Sequence, residues 1–458
     1  MFSLGIDSFR GFDCQKFNFA KYNILIGENS GGKTSLLKLL MLLKQSMRNL
    51  YSYDSQLLLD GPFVDLGGFV DFVKNHNIND VVKITYTTSN SFVNTYFSVL
   101  YPSLNESEYF KLLTEKCKTH KFLGEPVNLS FSFSQESITD VYKWTINFSC
   151  EKIGSASLNL VKNRQESVNG WNGVITFKDL KGKEINLQIT ASINGFMLFV
   201  DGVSLRESIR KQKIREKFLF DKLAYLLIAQ NDFALKLDSF SCLNPVEYHP
   251  ERFMMKRDMH KHNSVTDYQA AMMGLRQVFE REKVKKEFLN MVKQMGLAED
   301  VEIDETSTSP VVSLKTTIGG LKSNVVDVGY GVSLQIPMLM HLIYMKYNNP
   351  DANIIFEQPE IHLHPALQAK FIEVLCKFGG KKNSFFIETH SEHMLRKLQT
   401  LVKKGIIKKE EVSVYYFKNE KGAFKVTPHT IDENGFVEPE FPKEFYDTDF
   451  ELALELMK

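Results

Sequence analysis

The sequence lacks the features that mark several common protein classes. Its 458 residues include only five cysteines, scattered with no Cys-x-x-Cys pair, which excludes a zinc ribbon and is typical of free thiols in a reducing compartment. The 56 lysine and arginine residues nearly balance 55 aspartate and glutamate residues, so the net charge of +1 gives no sign of a polyanionic partner. A nucleic-acid surface would therefore have to be a local patch.

Long hydrophobic runs are also missing. The longest apolar stretch lies at about 336–345, which is much shorter than the roughly 20 residues needed to cross a bilayer. The first residues, MFSLGID, contain no basic region followed by an apolar core, so they do not have the pattern of a signal peptide. These absences predict a cytoplasmic protein with no membrane partner.

The order of apolar patterns predicts an α/β protein with a long insertion. Residues 1–80 contain strand-like runs and a helix buried against a sheet, and 81–202 carry short β-type runs broken by Asn, Ser and Gly. Residues 203–300 are mainly helical, whereas 301–428 alternate strands with helices, which predicts a mixed, largely parallel sheet with flanking helices. A short segment, 429–458, ends the chain. The insertion is thus β-rich and then helical.

Helices are predicted at 106–118, 205–229 and 267–295 in this insertion, and at 334–345, 366–378 and 392–403 after it. In the third of them, apolar residues recur at i, i+4, i+7, i+8 and i+11, which predicts one buried face. These residues are Val284, Phe288, Met291, Val292 and Met295.

The clearest chemical motif is GENSGGKTS at 27–35, a full match to G-x-x-x-x-G-K-[ST] between a predicted strand and a predicted helix. In such a loop the backbone N–H groups converge on phosphate oxygens, and glycine permits the positive φ that turns them inward. Lys33 would neutralise the β- and γ-phosphates, and the Thr34 hydroxyl would ligate Mg²⁺. The motif predicts ATP and Mg²⁺ as cofactors. The predicted binding residues are Gly27, Asn29, Ser30, Gly31, Gly32, Lys33, Thr34 and Ser35.

Two apolar strands in the second half of the chain end in polar residues. One ends at Glu357, where a carboxylate would hold Mg²⁺ beside the phosphate loop. The other, followed by THS, brings His390 to a position from which it could contact the γ-phosphate or the attacking water. Either one alone could be an ordinary strand end, but both in this order after a phosphate loop favour a nucleotide site.

A third element, DVGYGVS at 327–333, precedes the predicted helix 334–345. Two glycines and a serine at a helix N-terminus can bind an anion through exposed N–H groups and a hydroxyl. A simple helix cap explains the same pattern equally well. The element lies about 26 residues before Glu357, which is where the signature loop of an ABC ATPase belongs.

These motifs together resemble those of the AAA-like ABC ATPases related to the OLD, RecF and SMC proteins. The resemblance rests on GENSGGKT, GYGVS, EQPEIHLHP and ETHS, and it covers about 1–80 and 240–458. The segment from 431 to 446 is similar to a short C-terminal domain on one uncharacterised branch of that group. The implied fold is an ABC-ATPase head carrying the insertion.

The resemblance also implies roles and partners. It makes Glu357 the acid on the Mg²⁺ side and His390 the switch histidine. Gly329, Gly331 and Ser333 would bind the ATP of a second subunit, so a head-to-head homodimer or a higher homo-oligomer would follow.

Two departures from the family pattern bear on catalysis. The residue after the Mg²⁺-side acid is usually the glutamate that polarises water, but here it is Gln358, whose amide cannot accept a proton. Hydrolysis should be slow unless Glu360 substitutes. Leu334 also stands where family members usually carry glutamine, which leaves the geometry of the signature loop open.

Two functions remain open from the sequence. The motif set resembles the ATPase subunits of the PARIS, Septu and retron-associated anti-phage systems, which implies a switch or scaffold for a separate effector, often a nuclease or toxin. The alternative is a RecF-like clamp that binds DNA in repair. The insertion also contains a basic run, formed by Arg206, Arg210, Lys211, Lys213, Arg215 and Lys217. This run would serve the clamp by contacting DNA phosphates, or it is simply a solvated helix surface.

Three further side chains have both a functional and a structural explanation. His362 and His364 form a His-x-His pair that can ligate metal, but the following proline favours the first turn of a helix. Arg252 could reach a phosphate, or it could form a surface ion pair.

Overall fold

The computed structural model divides the chain into two compact units, one comprising Met1–Phe19, Lys38–Asp238 and Lys421–Ala423, the other Ala20–Leu37, Ser239–Glu420 and Phe424–Lys458. In the part of the chain that the structure describes, no helix is both long and apolar enough to cross a membrane. The described residues are 2–47, 57–88, 127–134, 143–150, 154–162, 171–178, 181–194, 197–200, 202–211, 230, 232–243, 252–255, 278–305 and 311–442.

The first unit is built on an antiparallel sheet of nine described strands in the order β10-β9-β8-β7-β6-β5-β4-β1-β2. The strands are β1 (Phe2–Asp7), β2 (Gln15–Phe19), β4 (Val82–Thr88), β5 (Val127–Phe133), β6 (Lys143–Cys150), β7 (Gly154–Lys162), β8 (Trp171–Lys178), β9 (Glu184–Asn194) and β10 (Met197–Val200). The predicted β-rich insertion therefore extends a sheet that the N-terminal strands begin.

Alternation along these strands explains why the sheet has one apolar face. In β5, Leu129 and Phe131 are fully buried on one face of the sheet. Asn128, which directly precedes Leu129, is exposed on the other face. Period-two alternation of this kind is typical of antiparallel sheets with one solvated face. Two described helices, α2 (Phe69–Phe72) and α3 (Gly202–Lys211), belong to the same unit.

The second unit contains a seven-stranded sheet in the order β11-β16-β17-β3-β18-β19-β20. Five neighbouring strands, from β11 to β18, run parallel, and β20 pairs antiparallel with β19. The strands are β3 (Tyr22–Gly27), β11 (Phe240–Leu243), β16 (Asn353–Glu357), β17 (Ser384–Glu388), β18 (Val412–Glu420), β19 (Ala423–Ile431) and β20 (Val437–Glu438). The parallel strands place their C-terminal ends at one edge, which is where ligands bind in open α/β sheets.

Three helices follow the phosphate loop or a strand of this sheet. They are α1 (Lys33–Met47), α6 (Pro365–Phe378) and α7 (Glu392–Lys403). Two further helices, α4 (Glu282–Met295) and α5 (Tyr330–Asn348), precede β16 in the chain. A smaller sheet of β12 (Met254–Met255), β13 (Asp300–Asp304), β14 (Val311–Ile318) and β15 (Leu321–Asn324) belongs to the same unit. The predicted fold class, α/β with a largely parallel sheet and a β-rich and helical insertion, is confirmed.

The helix α4 buries the face that its sequence predicts. Its buried side chains belong to the same core as strands β3, β16 and β17. Gly296 ends the helix in a left-handed conformation with φ of 74°, which glycine adopts at little cost. The five buried side chains are Val284, Phe288, Met291, Val292 and Met295.

Three helix predictions need correction or fall partly outside the described residues. The helix predicted at 106–118 and the residues 212–229 and 267–277 lie outside them. The helix predicted at 267–295 is interrupted, because Arg281 adopts an extended conformation and α4 begins at Glu282. Helix α5 begins at Tyr330, four residues earlier than predicted, because the Gly329 carbonyl accepts the Val332 and Ser333 N–H groups. The domain limits at 80, 202, 300 and 428 stay a prediction.

Candidate functional site

The phosphate loop connects β3 to α1 and depends on glycine at two positions. Gly27, the last residue of β3, has φ of 133°, and a Cβ there would overlap the Phe417 backbone of the neighbouring strand β18. Gly32 has φ of 104°, and a Cβ there would lie 2.5 Å from the Phe424 ring. Both positions combine positive φ with close approach, so only glycine fits.

The Lys33 side chain is buried at the start of α1. Its Nζ atom donates to the carbonyl oxygens of Gly27 (3.0 Å) and Glu28 (2.7 Å), which holds the ammonium inside the loop. Burial lowers the pKa of Lys33, and the carboxylates of Glu388, Glu360 and Glu28 oppose that change. A cation thus lies among three acids at the end of the parallel sheet.

The next residue, Thr34, contacts an acid that the sequence analysis left out of the predicted site. Its hydroxyl donates to Glu388 Oε1 at 2.7 Å. Glu388 ends β17 just as Glu357 ends β16, and the two residues are paired in the parallel register. The signal was present in the sequence, since FFIE and IIFE are both apolar runs that end in glutamate. Because β17 lies between β3 and β16, Glu388 is one strand from the loop and Glu357 is two.

Glu357 is buried at the C-terminal end of β16. The Cys242 thiol, on the adjacent parallel strand β11, donates to Glu357 Oε1 at 3.8 Å. The structure therefore places the predicted Mg²⁺-side acid at the same sheet edge as the phosphate loop.

The residues after Glu357 link its strand to that of His390. Gln358 has φ of 45°, and its N–H donates to the Glu388 carbonyl at 2.8 Å. Glu360 Oε1 accepts the backbone N–H of His390 at 2.6 Å. Burial raises the pKa of Glu360, and this hydrogen bond opposes the rise. Burial, followed by the positive charge of Lys33, lowers the pKa of His390. The structure thus brings Glu360 and His390 together near Lys33.

The signature residues differ from their predicted arrangement. Gly331 and Ser333 lie inside the first turns of α5, rather than in a loop before it, and Gly329 is the N-cap. Ser333 is only 2% exposed, and its hydroxyl donates to the Tyr330 carbonyl at 2.8 Å. Tyr330 itself is 45% exposed, so the outward-facing residue of this turn is the tyrosine.

The other predicted binding residues of the phosphate loop differ in their solvent exposure. Asn29 and Ser30 are exposed, and Ser35 is half-buried. The Ser30 carbonyl accepts a hydrogen bond from the Asn419 side-chain amide at 3.0 Å. Nothing in the sequence pointed to Asn419, because it lies almost 390 residues away on β18.

Two of the ambiguous side chains have structural contacts. His364 caps α6, with Nδ1 accepting the Ala366 N–H at 3.4 Å, which matches the helix-start explanation. Arg252 forms a bidentate ion pair with Asp327, which matches the surface-pair explanation. Arg210 and Lys211 of the basic run are exposed in the last turn of α3, and 212–217 lie outside the described residues.

The donors at this edge fit ATP with Mg²⁺. The Thr34 hydroxyl and the carboxylates of Glu388 and Glu357 are hard oxygen ligands of the kind that Mg²⁺ prefers. The loop itself is a cradle that a Cβ at Gly32 would fill.

Comparison with family models identifies the family of the chain. Residues 1–395 match the model of the AAA ATPase domain, so the chain belongs to that family and is an ATP-binding ATPase. Residues 407–456 match a second model, described as Protein of unknown function (DUF3696). No curated protein matches the chain.

Solved structures similar to this chain include three SMC heads. The SmcHead bound to the C-winged helix domain of ScpA is 9% identical, with 93% of this chain and 97% of that chain covered and a TM-score of 0.43. The SMC head domain from Thermotoga maritima has the same identity and coverage and a TM-score of 0.35. A Pyrococcus furiosus Smc head with an extended coiled coil, bound to the C-terminal domain of ScpA, is 9% identical with both chains fully covered and a TM-score of 0.40.

Proposed function

We propose that the chain binds ATP and Mg²⁺ at the loop 27–35, hydrolyses ATP slowly, and acts as an ATP-dependent switch for a separate effector protein. The observation that carries the proposal is the amide at position 358. Gln358 follows Glu357 at the edge that also carries Lys33 and Thr34, and its N–H is fixed on the Glu388 carbonyl. An amide there binds water but accepts no proton, so bound ATP would persist.

In this proposal, the chain's own groups position the nucleotide. Lys33 and the N–H groups at the start of α1 would bind the phosphates, where the helix also presents its positive end. Thr34, Glu388 and Glu357 would hold Mg²⁺. The metal, when bound, supplies charge neutralisation on the phosphate oxygens.

With an amide at position 358, the candidate for the catalytic base is Glu360. Its Oε1 is held by the His390 N–H, and the Thr389 side chain also favours the charged form of the carboxylate. A carboxylate can accept a proton from water that attacks the γ-phosphate while the bond to the bridging oxygen breaks. His390 lies two residues after the end of β17 and would contact the γ-phosphate side of this site.

The proposed assembly is a homodimer or a higher homo-oligomer with ATP shared between protomers. Gly329 and Gly331 would form the trans contact through the start of α5, whereas Ser333, buried with its hydroxyl on the Tyr330 carbonyl, would hold this turn from inside. The helix N-terminus and the exposed Tyr330 beside it support this arrangement.

The proposed effector is a nuclease or toxin in bacterial anti-phage defence, and this part rests on the resemblance to PARIS- and Septu-type ATPases. The RecF-like DNA clamp stays the alternative. Its support is the exposed pair Arg210 and Lys211 at the end of α3, which could contact a DNA phosphate.

Two glutamine–glutamate exchanges test which residue limits hydrolysis. We expect Gln358→Glu to raise ATP turnover by about 10²-fold or more, since a positioned base contributes about 10²–10⁴-fold. We expect Glu360→Gln to remove most of the residual turnover while ATP affinity stays within about twofold, a change below roughly 0.5 kcal/mol. Both rates are measured as phosphate release at saturating ATP.

Glu373→Gln on α6 is the matched control, because Glu373 pairs with Lys397 at the surface. An unchanged rate in Gln358→Glu, with Glu360→Gln inactive, would assign the base to Glu360 and reject the missing-base explanation. Unchanged rates in both variants would reject both assignments.

A further inference from the structure

The hairpin of β18 and β19, within the 407–456 segment of unknown function, lies against the phosphate loop. We infer that Asn419 of this hairpin is a positioning residue that fixes the shape of the loop for the phosphates of ATP. The inference rests on the proposed ATP binding at 27–35. It gives the segment 407–456 a function, which is to set nucleotide affinity.

Strand β18 first brings the hairpin to the loop. It pairs in parallel with β3 over six residues, from Val412 opposite Tyr22 to Phe417 opposite Gly27. The Glu28 N–H, which is the first N–H after the end of β3, then donates to the Phe417 carbonyl at 2.9 Å. The pairing therefore continues past the end of β3 into the loop itself.

Asn419 then makes two hydrogen bonds to the loop. Its side-chain amide donates to the Ser30 carbonyl at 3.0 Å, and its backbone N–H donates to Glu28 Oε2 at 3.1 Å. Ser30 has φ of 58°, a left-handed conformation that is unfavourable for a residue other than glycine. The Asn419 amide holds the carbonyl of that residue, so it stabilises the turn that directs the following N–H groups toward phosphate.

The second strand of the hairpin contacts the loop at Gly32. The Phe424 ring is so close that a Cβ on Gly32 would lie 2.5 Å from its Cδ2 atom. The hairpin thus contacts the loop from Gly27 to Gly32, through the Phe417 backbone, Asn419 and the Phe424 ring. These contacts restrain the backbone of the loop along most of its length.

A purely structural role for Asn419 predicts a different result. The hairpin is already held by the pairing of β18 with β3, and the two hydrogen bonds described for Asn419 run to the loop. Loss of the side chain should therefore change nucleotide affinity more than the stability of the nucleotide-free protein.

The test compares ATP binding to the full chain with Asn419→Ala, Asn419→Gln and Asn434→Ala. Asn434 is the control, since it is an exposed asparagine of the same segment whose amide contacts only Asp432 among the described hydrogen bonds. We expect Asn419→Ala to raise the Kd for ATP about tenfold, the effect of roughly one lost hydrogen bond. Asn419→Gln should recover part of the affinity because it keeps the amide donor. The kcat at saturating ATP and the Tm without nucleotide should match those of Asn434→Ala.

The outcomes separate this inference from the function on which it rests. If Lys33→Ala abolishes ATP binding but Asn419→Ala binds within twofold of wild type, the inference is overturned and ATP binding stands. The same holds if Asn419→Ala lowers only the Tm. If Lys33→Ala binds ATP like wild type, the loop is not the nucleotide site and both proposals fail. Should Asn419→Ala not fold, Asn419→Ser, whose hydroxyl is too short to reach the Ser30 carbonyl, replaces it with the same expectations.

Discussion

At the scale of single residues, the candidate site contains two strand-end acids rather than one. The sequence predicts Glu357 as the acid beside Mg²⁺, and this residue ends β16. The acid that contacts the Thr34 hydroxyl is Glu388, on the intervening strand. Neighbouring strands lie about 4.8 Å apart, so Glu388 reaches the loop directly and Glu357 acts from the next strand.

This geometry predicts that the Mg²⁺ requirement depends on both acids. We expect Glu388→Gln to raise the Mg²⁺ concentration for half-maximal ATPase activity by at least about 10–100-fold, since losing even a group that only orients a metal ligand has that effect. Glu357→Gln should have an effect of at least similar size if that carboxylate ligates the metal. The measurement is a Mg²⁺ titration of phosphate release at fixed ATP.

Glu392→Gln provides the comparison, since Glu392 pairs with Arg396 at the surface of α7, four residues beyond Glu388. The account would be contradicted at this scale if Glu388→Gln left the Mg²⁺ titration unchanged. A change in Glu357→Gln alone would restore the single-acid interpretation of the sequence.

At the scale of elements, the sequence was most informative where a motif stands between two local patterns. The strand before GENSGGKTS, the helix after it and the strand ending at Glu357 all form, because apolar runs with glycine or acid at their ends define them locally. The buried stripe of α4 is confirmed for the same reason. These features need no knowledge of distant residues.

Other features depend on pairing between distant residues and could not be predicted. Strand β1 pairs with β4 and so connects the N-terminal strands to the strands of the insertion. No local sequence pattern specifies the register of this pairing. The Ser30–Asn419 contact spans nearly the whole chain. The predicted start of α5 was wrong by four residues, because tyrosine, glycine and valine are poor signals of a first helical turn. The cap carbonyl comes from Gly329.

At the scale of the whole molecule, the proposed trans ATP site predicts dimerisation that depends on ATP. Tyr330 is the exposed residue of the signature turn, with its ring edge-on to His362 at a centroid distance of 4.8 Å. We expect Tyr330→Arg to prevent the ATP-dependent dimer, because its longer side chain would fill the space between the start of α5 and the ATP of the other protomer. Sedimentation velocity with Mg²⁺ and ATP measures the result.

Ile406→Arg is the matched control, because Ile406 is also an exposed hydrophobic residue, 64% accessible, after the end of α7. It should dimerise as wild type does. A Tyr330→Arg protein that binds ATP and still dimerises fully would count against a trans site built on the start of α5.

The central claim is that ATP stays bound because hydrolysis is slow. The most direct test is the steady-state ATP turnover of the wild-type chain with Mg²⁺, measured together with the nucleotide that remains bound after rapid desalting. We expect turnover near or below about one per minute, far under the ~10 per second typical of enzymes, with ATP retained. Turnover of several per second with only ADP or no nucleotide retained, and most of all a rate raised by DNA, would contradict the switch and favour the RecF-like clamp.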